Sequence, residues 1–465
     1  MDARDMGWCA RASGAALVRG EAGVRVTGVG TDSRRAGAGE LFVALRGDRF
    51  DGHDFVGEVA GRGVAGVMVS GGWHGEVPGG VAVLRVEDTR AALGRLAAGY
   101  RLEMGATVVA VAGSNGKTTT KELLARVLRE AGPVWRSAAS FNNDVGVPLS
   151  LLSGSAGDRF AVLEAGTNHP GELAPLLRMI RPRVGVLTSV GREHLEFFGD
   201  EEGVAREEGC LAEALGPGGL LVLNGDTPFA GGIARRCPGR VTRFGWGEGN
   251  DWRVRGSRST WEGEEFQLEG MGGGWDGTWR VGVPGRVMAS NAAAALAVAR
   301  ELGVGPVAAR EALAGFRAPE RRMAIREAGG VRVLDDCYNA NADSMASALD
   351  TFSRLPCSGR RVAVLGDMGE LGPASEGAHA EVGRRAAGVV DTLVVVGRWA
   401  GALAGAARGA GHGDVRECAG VGEVVGVLGG LLRGGDAVLV KASRSARLER
   451  VMEGWAAGVG GGAGC

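Results

Sequence analysis

The segment from residue 113 to residue 119 combines glycines, hydroxyl groups and a lysine in an order that suits phosphate binding, and it reads Gly113-Ser114-Asn115-Gly116-Lys117-Thr118-Thr119. Glycines allow a tight turn in which several N–H groups point at one anion, and Lys117 adds a positive charge for the outer phosphates. The Thr118 hydroxyl is placed to hold Mg²⁺. A glycine-rich turn before a core helix is the alternative. Lys117 is, however, one of only three lysines in the chain, which favours a dedicated role.

The stretches on either side of this loop must position it. An apolar run at 108–112 predicts a buried parallel strand before the loop, and the apolar spacing at 121–128 predicts an amphipathic helix after it. This order of strand, loop and helix predicts a nucleotide-binding site.

Two further predicted strands end near groups that can bind metal. The strand at 159–163 runs into Glu164, and the strand at 184–189 leads to His194. Ligands of open parallel sheets lie beyond the carboxyl ends of the strands, so we expect Glu164 beside the nucleotide as a metal ligand. His194 should reach the same edge, although a lone histidine is more often structural.

Other loops carry polar groups without a unique interpretation. Ser33, Arg34 and Arg46 lie in loops that suit a phosphorylated or sugar-bearing ligand, but turns with surface ion pairs fit equally well. Asn142 and Asn143 offer adaptable donors and acceptors, and asparagines are also good turn formers.

The remaining patterns complete a prediction of three α/β domains. Residues 1–104 form a small α/β domain, and residues 105–316 a central parallel-sheet domain with an antiparallel, tryptophan-rich extension at 244–283. A helix with Ser290 as its N-cap follows that extension. Residues 317–465 alternate strands and helices as a Rossmann-like, doubly wound domain, and the glycine-rich tail at 458–465 is expected to be disordered. Polar groups follow the strands of this last domain, namely Asp336, Tyr338, Asn339, Asn341, Asp367, Lys441 and Ser443.

Composition excludes several classes of function. The 53 basic and 54 acidic residues leave no polybasic field, so neither nucleic acid nor an anionic membrane is expected as a partner. No apolar stretch reaches transmembrane length, and the seven cysteines lack metal-type spacing. These features predict a cytoplasmic protein without membrane insertion.

Seven motifs, in order between about residues 28 and 452, resemble the Mur ligase family. They are the segments 31–34, 41–55, 113–119, 141–148, 335–341, 366–372 and 441–445. The short phosphate loop is the form that these ligases use.

The resemblance implies an ATP- and Mg²⁺-dependent ligase, and we expect the chain to be a monomer. Its first domain would bind a UDP-sugar, its second ATP and Mg²⁺, and its third would close over both. The terminal carboxylate of a UDP-N-acetylmuramoyl-tripeptide would take the γ-phosphoryl group, and the amine of D-alanyl-D-alanine would attack the acyl phosphate. This would be the last cytoplasmic step of peptidoglycan precursor synthesis. The chemistry is sound, because phosphorylation supplies the leaving group that a carboxylate lacks.

The resemblance also implies roles for individual residues around the nucleotide. Lys117 would hold the β- and γ-phosphates. Thr118 and Glu164 would bind one Mg²⁺ and His194 a second. Arg321 and Asp336 would contact phosphate and ribose from the third domain.

The remaining implied roles concern the other substrates. Ser33 and Arg46, with Arg34 beside them, would serve the uridine end, and Asn142 and Asn143 would lie near the substrates. The peptide end would be met by Tyr338, Asn341, Lys441 and Ser443.

The chain departs from the family pattern at two places. The family carries a carbamylated lysine on the helix after the histidine strand, and the aligned residue here is Glu208. We expect Glu208 to supply a carboxylate to the metal directly, with a solvated charge at a helix start as the alternative. The family's His-Asn pair before the next helix is replaced by Val287-Met288, which leaves Asn291 for adenine.

Three alternatives share parts of this pattern. A sister ligase that adds a single amino acid has the same ATP machinery, but its usual Asp-Asn-Pro-Arg motif is missing here. Folylpolyglutamate synthetase lacks the first-domain motifs. A non-catalytic nucleotide-binding protein could retain the fold, although intact Lys117, Glu164 and His194 argue against that.

Overall fold

The computed structural model describes residues 1–461, with side chains to residue 455. Residues 1–104, 105–316 and 317–461 are called the first, central and third units, after the predicted limits. Those limits remain predictions, although each of the three large sheets takes its strands from one unit. Of the predicted disordered tail, residues 458–461 continue a helix and residues 462–465 lie outside the described residues. Among the described residues, no helix is long and apolar enough to cross a membrane.

The first unit contains a five-stranded sheet in the order β2-β7-β6-β5-β4, parallel except at β2, while β1 and β3 pair separately. Its strands are β1 (Arg4–Asp5), β2 (Ala16–Arg19), β3 (Arg25–Val26), β4 (Gly28–Gly30), β5 (Glu40–Val43), β6 (Gly66–Ser70) and β7 (Ala82–Val86). Its helices are α1 (Met6–Ser13), α2 (Val56–Ala60) and α3 (Thr89–Glu103), with a 3-10 turn at Gly52–Phe55.

The central unit is built on a nine-stranded sheet in the order β16-β15-β14-β13-β12-β11-β8-β10-β9. Its strands are β8 (Thr107–Ala112), β9 (Val134–Arg136), β10 (Phe160–Glu164), β11 (Val184–Leu187), β12 (Leu220–Asn224), β13 (Arg240–Gly245), β14 (Trp252–Thr260), β15 (Gly263–Glu269) and β16 (Gly277–Val281). Its helices are α4 (Lys117–Leu128), α5 (Gly146–Leu152), α6 (Leu173–Ile180), α7 (Leu195–Phe198), α8 (Glu201–Glu208), α9 (Cys210–Glu213), α10 (Ala230–Ala234), α11 (Arg286–Glu301) and α12 (Pro306–Ala314).

The third unit has a six-stranded sheet in the order β17-β18-β22-β19-β20-β21, with only β17 antiparallel. Its strands are β17 (Ala324–Ala328), β18 (Val331–Asp335), β19 (Arg361–Leu365), β20 (Thr392–Val396), β21 (Val415–Cys418) and β22 (Ala437–Lys441). Its helices are α13 (Ala342–Arg354), α14 (Ser375–Ala387), α15 (Ala400–Gly409), α16 (Val421–Leu431) and α17 (Glu449–Gly461), with 3-10 turns at Gly372–Ala374 and Arg444–Ala446.

The strands that carry the predicted site are parallel and fully buried. In β8, residues 108–112 are all buried, as the apolar run predicts for a strand covered on both faces. Strands β10, β8, β11 and β12 are neighbours, so the loops that follow them emerge at one edge of the sheet. This confirms the predicted parallel sheet.

The tryptophan-rich extension is antiparallel from β14 to β16, as predicted. Trp275 stacks on Trp279, with ring centroids 5.8 Å apart, and meets Trp252 edge-on at 5.6 Å. All three rings are buried in the core beside α11, so these tryptophans pack the interior.

The predicted start of helix α11 is wrong by one turn. The helix begins at Arg286, and Gly285 precedes it with a φ of 117°, a conformation that glycine adopts readily. The buried Glu264 carboxylate accepts the Gly285 N–H at 2.9 Å. Ser290 therefore lies inside the helix, where its Oγ accepts the indole N–H of Trp246 at 2.8 Å.

Candidate active site

The phosphate-binding loop connects β8 to α4 as predicted, and its two glycines are structurally required. Gly113 has a φ of 116°, and a Cβ there would lie 2.5 Å from the Thr188 hydroxyl. Gly116 has a φ of 86°, and its Cβ would lie 2.9 Å from the Asn291 side chain. Gly116 also occupies the N-cap position of α4 without a side-chain cap, so the first N–H groups of the helix remain available to an anion.

A cavity of about 1020 Å³ opens above this loop, between the central and third units. It is large enough for a nucleotide together with part of a second substrate. The predicted residues that line it are Ser114, Asn115, Gly116, Lys117, Thr118, Thr119, Asn142, Asn143, Glu164, His194, Asn291, Asp336, Tyr338, Asn341, Lys441 and Ser443. Val287 and Met288 also line it, next to Asn291.

Lys117 carries the positive charge at the floor of the cavity. Its Nζ donates to the Gly113 and Ser114 carbonyls and lies 3.6 Å from Oε2 of Glu193. Burial lowers the pKa of Lys117, but the carboxylates of Glu193, Glu208 and Glu164 outweigh it and raise the pKa above its ordinary value. The ammonium is therefore charged at neutral pH.

Glu164 is held at the end of β10 by two side chains from the cavity wall. Its Oε2 accepts the Thr118 hydroxyl at 2.8 Å, and its Oε1 accepts the Asn142 amide at 2.9 Å. Asn143 has a more local role, since its Oδ1 accepts the Gly146 N–H at 2.8 Å at the start of α5.

This arrangement fits a hard cation that takes oxygen ligands. Thr118 and Glu164 present adjacent oxygens beside the phosphate loop, and Oε1 of the buried Glu193 has no hydrogen-bond partner. Among residues 1–461, no group of three or more His, Cys, Asp or Glu could hold a metal ion by itself. Mg²⁺ here would therefore need oxygens from phosphate and water, which is its usual mode of binding beside nucleotides.

His194 lies at the predicted edge, with a φ of 48° at the start of α7. Its Nε2 is 3.9 Å from Oε2 of Glu193, and its Nδ1 is 2.6 Å from Oε2 of Glu370 in the third unit. The histidine thus lies between carboxylates of two units.

Glu208 does not reach the cavity, contrary to the prediction that it binds metal directly. It is fully buried and does not belong to the cavity lining, and neither of its carboxylate oxygens has a hydrogen-bond partner. Burial raises the pKa of Glu208 to about 8, an effect that the charge of Lys117 partly offsets. Its side chain ends beneath the phosphate loop, so we interpret Glu208 as a buried neighbour of Lys117.

We expect Glu208→Gln to raise the free energy of unfolding. The pKa of this carboxyl rises from 4.5 to about 8 on folding, so its cost is absent below about pH 4.5 and grows as the pH rises towards 8. The variant should gain on the order of 3 kcal/mol at pH 7 and little at pH 4.5. Urea unfolding across this pH range measures the difference, and Mg²⁺ dependence should be retained.

Glu207→Gln is the matched control for that prediction. The Glu207 carboxylate accepts the N–H groups of Gly171 and Leu173, each at 2.8 Å, so its replacement should lower stability at neutral pH. A Glu208→Gln gain that does not vary with pH, or a loss of Mg²⁺ dependence, would contradict our interpretation.

Arg321 does not point into the cavity, and the neighbouring Arg322 does. Arg321 has a φ of 61°, and its guanidinium lies 3.6 Å from Glu449 and 3.5 Å from Glu453 on α17. Arg322 lines the cavity, with its guanidinium carbon 3.8 Å from the ring centroid of Tyr338. Arg321 thus combines a left-handed backbone with partners on α17, which a sequence pattern does not reveal.

Asp336 and Lys441 line the cavity but also bind each other. Nζ of Lys441 lies 2.5 Å from Oδ2 of Asp336 and donates to the Asn339 carbonyl at 3.0 Å. Oδ1 of Asp336 accepts the Met323 N–H at 3.0 Å. Lys441 therefore holds the loop that carries Tyr338, and its ammonium is not free for the peptide end.

Asn341 joins the third unit to the phosphate loop. It caps α13 by accepting the Ser344 N–H at 2.8 Å, while its Nδ2 donates to Oδ1 of Asn115 at 3.0 Å. Ser443 lies at the same side of the cavity, where its hydroxyl is 3.1 Å from that of Ser445. Tyr338 makes a further contact between units, through its hydroxyl, with Ser140.

Ser33, Arg34 and Arg46 lie outside this cavity. Their loops follow β4 and β5, which are parallel neighbours, so they share one edge of the first sheet. Arg34 pairs with Asp32 at 2.8 Å and Arg46 with Asp51 at 2.9 Å. Both guanidiniums remain exposed, so the surface ion pairs do not prevent Arg34 and Arg46 from binding a ligand.

Several cavity residues escaped the sequence interpretation, namely Ser140, Asn168, Glu172, Glu193, Arg322 and Glu370. Glu193 directly precedes the predicted His194, and Arg322 directly follows Arg321, so both could be found by adjacency. Glu370 belongs to a matched motif, but its place opposite His194 depends on how the units dock.

Comparison with known proteins assigns the family. Three family models match in order: "Mur ligase family, catalytic domain" over residues 25–101, "Mur ligase middle domain" over 111–299 and "Mur ligase, glutamate ligase domain" over 321–444. The chain belongs to the Mur ligase family, which confirms the resemblance noted in its sequence.

Individual relatives are similar over nearly the whole length. The UDP-N-acetylmuramoyl-tripeptide--D-alanyl-D-alanine ligase of Escherichia coli (strain K12) is 36% identical, over 93% of this chain and 94% of the relative. The crystal structure of MurF from Acinetobacter baumannii has a TM-score of 0.88 at 29% identity and covers 98% of this chain and 99% of that one. MurF ligase from Thermotoga maritima, in complex with ADP, has a TM-score of 0.80 at 29% identity and covers 94% of this chain and 98% of that one. These structures confirm the predicted three-part α/β fold.

Proposed function

We propose that this chain joins D-alanyl-D-alanine to the terminal carboxylate of a UDP-N-acetylmuramoyl-tripeptide, with ATP as phosphoryl donor. One observation carries the proposal. The phosphate loop, the Glu164 carboxylate and the polar loops of the third unit all face a single cavity of about 1020 Å³. Similarity over more than nine-tenths of a relative named for this reaction supports the same assignment.

The reaction proceeds in two steps. The tripeptide carboxylate attacks the γ-phosphorus, the bond from that phosphorus to the β-phosphate oxygen breaks, and ADP leaves. The dipeptide amine then attacks the carbonyl carbon of the acyl phosphate, inorganic phosphate leaves, and the nitrogen loses a proton. The first step brings a carboxylate to the negatively charged phosphates, and the second develops negative charge on the carbonyl oxygen and the leaving phosphate. Both steps therefore require positive charge, and the acyl phosphate requires exclusion of water.

The chain supplies that environment from two units. We assign Lys117 and the N–H groups at the start of α4 to the β- and γ-phosphates, because they converge at one end of the cavity. Arg322 adds positive charge from the third unit. Thr118 and Glu164 would hold Mg²⁺, which, when bound, neutralises phosphate charge. His194 is assigned to a second cation.

The other ligands are assigned by position. Asn291, with Val287 and Met288, is assigned to adenine, and Asp336 with Tyr338 lines the same cavity from the third unit. Ser33, Arg34 and Arg46 are assigned to the uridine diphosphate end, because they share one sheet edge in the first unit. We place the reaction in the cytoplasm, where the six free cysteines among the described residues would stay reduced.

The deciding experiment is phosphate release from ATP and Mg²⁺ with UDP-N-acetylmuramoyl-tripeptide. We expect release to require D-alanyl-D-alanine and to accompany formation of the pentapeptide product. Release with single amino acids in place of the dipeptide would instead indicate a sister ligase. If ATP still binds but no phosphate is released with any acceptor, the chain is a nucleotide-binding protein without ligase activity.

A further inference from the structure

The loop at 366–372 of the third unit belongs to a matched motif, yet the proposed reaction gives it no role. Within it, Glu370 has a φ of 59° and is followed at Gly372 by a φ of 51°. Residues other than glycine avoid this left-handed region, because the Cβ lies too close to the following carbonyl oxygen. Something in the surroundings must therefore hold Glu370 in place.

The backbone of this loop docks on the segment 194–196 of the central unit. The Glu196 N–H points to the Glu370 carbonyl at 3.4 Å. Gly372 lies so close that a Cβ there would be 3.2 Å from the Cβ of Glu196. Glu370 is thus fixed by contacts between units, and its left-handed backbone sets the direction of its side chain.

That direction brings the Glu370 carboxylate to the imidazole of His194. Oε2 of Glu370 lies 2.6 Å from Nδ1, whereas Nε2 is 3.9 Å from its nearest carboxylate, on Glu193. The carboxylate lies off the line of the ring N–H, so this is a close contact between the carboxylate and Nδ1 and not an aligned hydrogen bond. Glu370 and His194 both line the cavity.

We propose that Glu370 is a positioning residue, which holds the His194 proton on Nδ1 and leaves Nε2 as the unprotonated nitrogen. A carboxylate beside one ring nitrogen favours the tautomer with the proton on that nitrogen. Because Glu370 belongs to the third unit, it can fix the tautomer of His194 only when that unit is docked on the central one. The inference rests on the proposed function in one respect only, namely that Nε2 of His194 binds a cation.

The same interface offers a matched control. Arg192 joins the units through Asp343, at 2.8 Å, and through Glu381, at 2.7 Å. Glu381, like Glu370, is a partly exposed carboxylate that crosses from the third unit to the central one, but it pairs with Arg192 and not with His194. Glu381→Gln therefore weakens docking without changing the surroundings of the imidazole.

The test is a measurement of the His194 tautomer in the full-length protein. The chain has only six histidines, so ¹⁵N-histidine labelling gives few signals, and His194→Gln identifies the signal of interest. Spectra are recorded with Mg²⁺ and β,γ-methylene-ATP. We expect the Nδ1-protonated tautomer in the parent and in Glu381→Gln, and a shift towards Nε2 protonation in Glu370→Gln, whose amide can donate to Nδ1. Unchanged His194 signals in Glu370→Gln would overturn the proposal.

A second readout does not depend on turnover. With the same nucleotide analogue, the Mn²⁺ affinity measured by electron paramagnetic resonance should fall about tenfold in Glu370→Gln and remain within about twofold in Glu381→Gln. Equal losses in the two variants would show a docking effect only and would overturn the positioning role. If the tautomer shifts as expected but the parent forms no pentapeptide product, the proposed function fails while this inference stands.

Discussion

Lys117→Met should lower kcat by about 10³-fold, the largest effect we expect from one substitution in this chain. The Lys117 ammonium lies at the start of α4, where the loop N–H groups also converge. Charge on the transferred phosphoryl group must be stabilised at this point, and methionine fills the same volume without a charge. Steady-state kinetics at saturating ATP, with product formation as the readout, measure the loss.

Lys121→Met provides the contrast for that result. Lys121 is the other lysine of α4, but it is fully buried and its Nζ donates to the Ser137 carbonyl at 2.9 Å. Its loss leaves buried carbonyl groups unpaired, so the effect should fall first on the free energy of unfolding, at about 1–3 kcal/mol. If the Lys117→Met enzyme keeps kcat within tenfold of the parent, Lys117 does not stabilise the transferred phosphoryl group.

Arg322→Gln should lower kcat by about 10²-fold, the second largest expected effect. Arg322 brings a positive charge from the third unit to the cavity, where its guanidinium lies over the ring of Tyr338. It can therefore stabilise phosphate charge only when the units are closed. Single-turnover kinetics should show a slower chemical step, while the affinity for ADP changes less.

Arg321→Gln is the control for that prediction, because Arg321 directly precedes Arg322 in the chain. Its partners Glu449 and Glu453 lie at 3.6 and 3.5 Å on α17, away from the cavity, so we expect kcat within about threefold of the parent. Stability should change by no more than about 1 kcal/mol, because such partly exposed pairs contribute little. If Arg321→Gln lost activity and Arg322→Gln did not, the result would support the sequence-based assignment of Arg321 to the nucleotide.

The parts of this molecule that the sequence predicted are those that depend on local order. The strand, loop and helix around Lys117 are adjacent in the chain, and Glu164 follows from the rule for strand ends. The same local reasoning could not separate Arg321 from Arg322, because the side chain of Arg321 is held by Glu449 and Glu453, which are distant in the sequence.

Other features depend on contacts that no local pattern contains. The buried position of Glu208 beneath the loop depends on how α8 packs. Glu370 meets His194 across 176 residues only because the third unit docks on the central one. The sequence marked both the motif of Glu370 and His194, but not the contact between them.

The three lysines have a practical consequence for labelling the protein. Their side chains are 14%, 0% and 2% exposed for Lys117, Lys121 and Lys441, so the folded chain presents no lysine amine on its outer surface. Reagents that acylate amines would find the N-terminus and, through the cavity, Lys117. A nucleotide that carries a reactive acyl group should thus mark the phosphate loop almost alone, and protection by ATP would report occupancy without measuring catalysis.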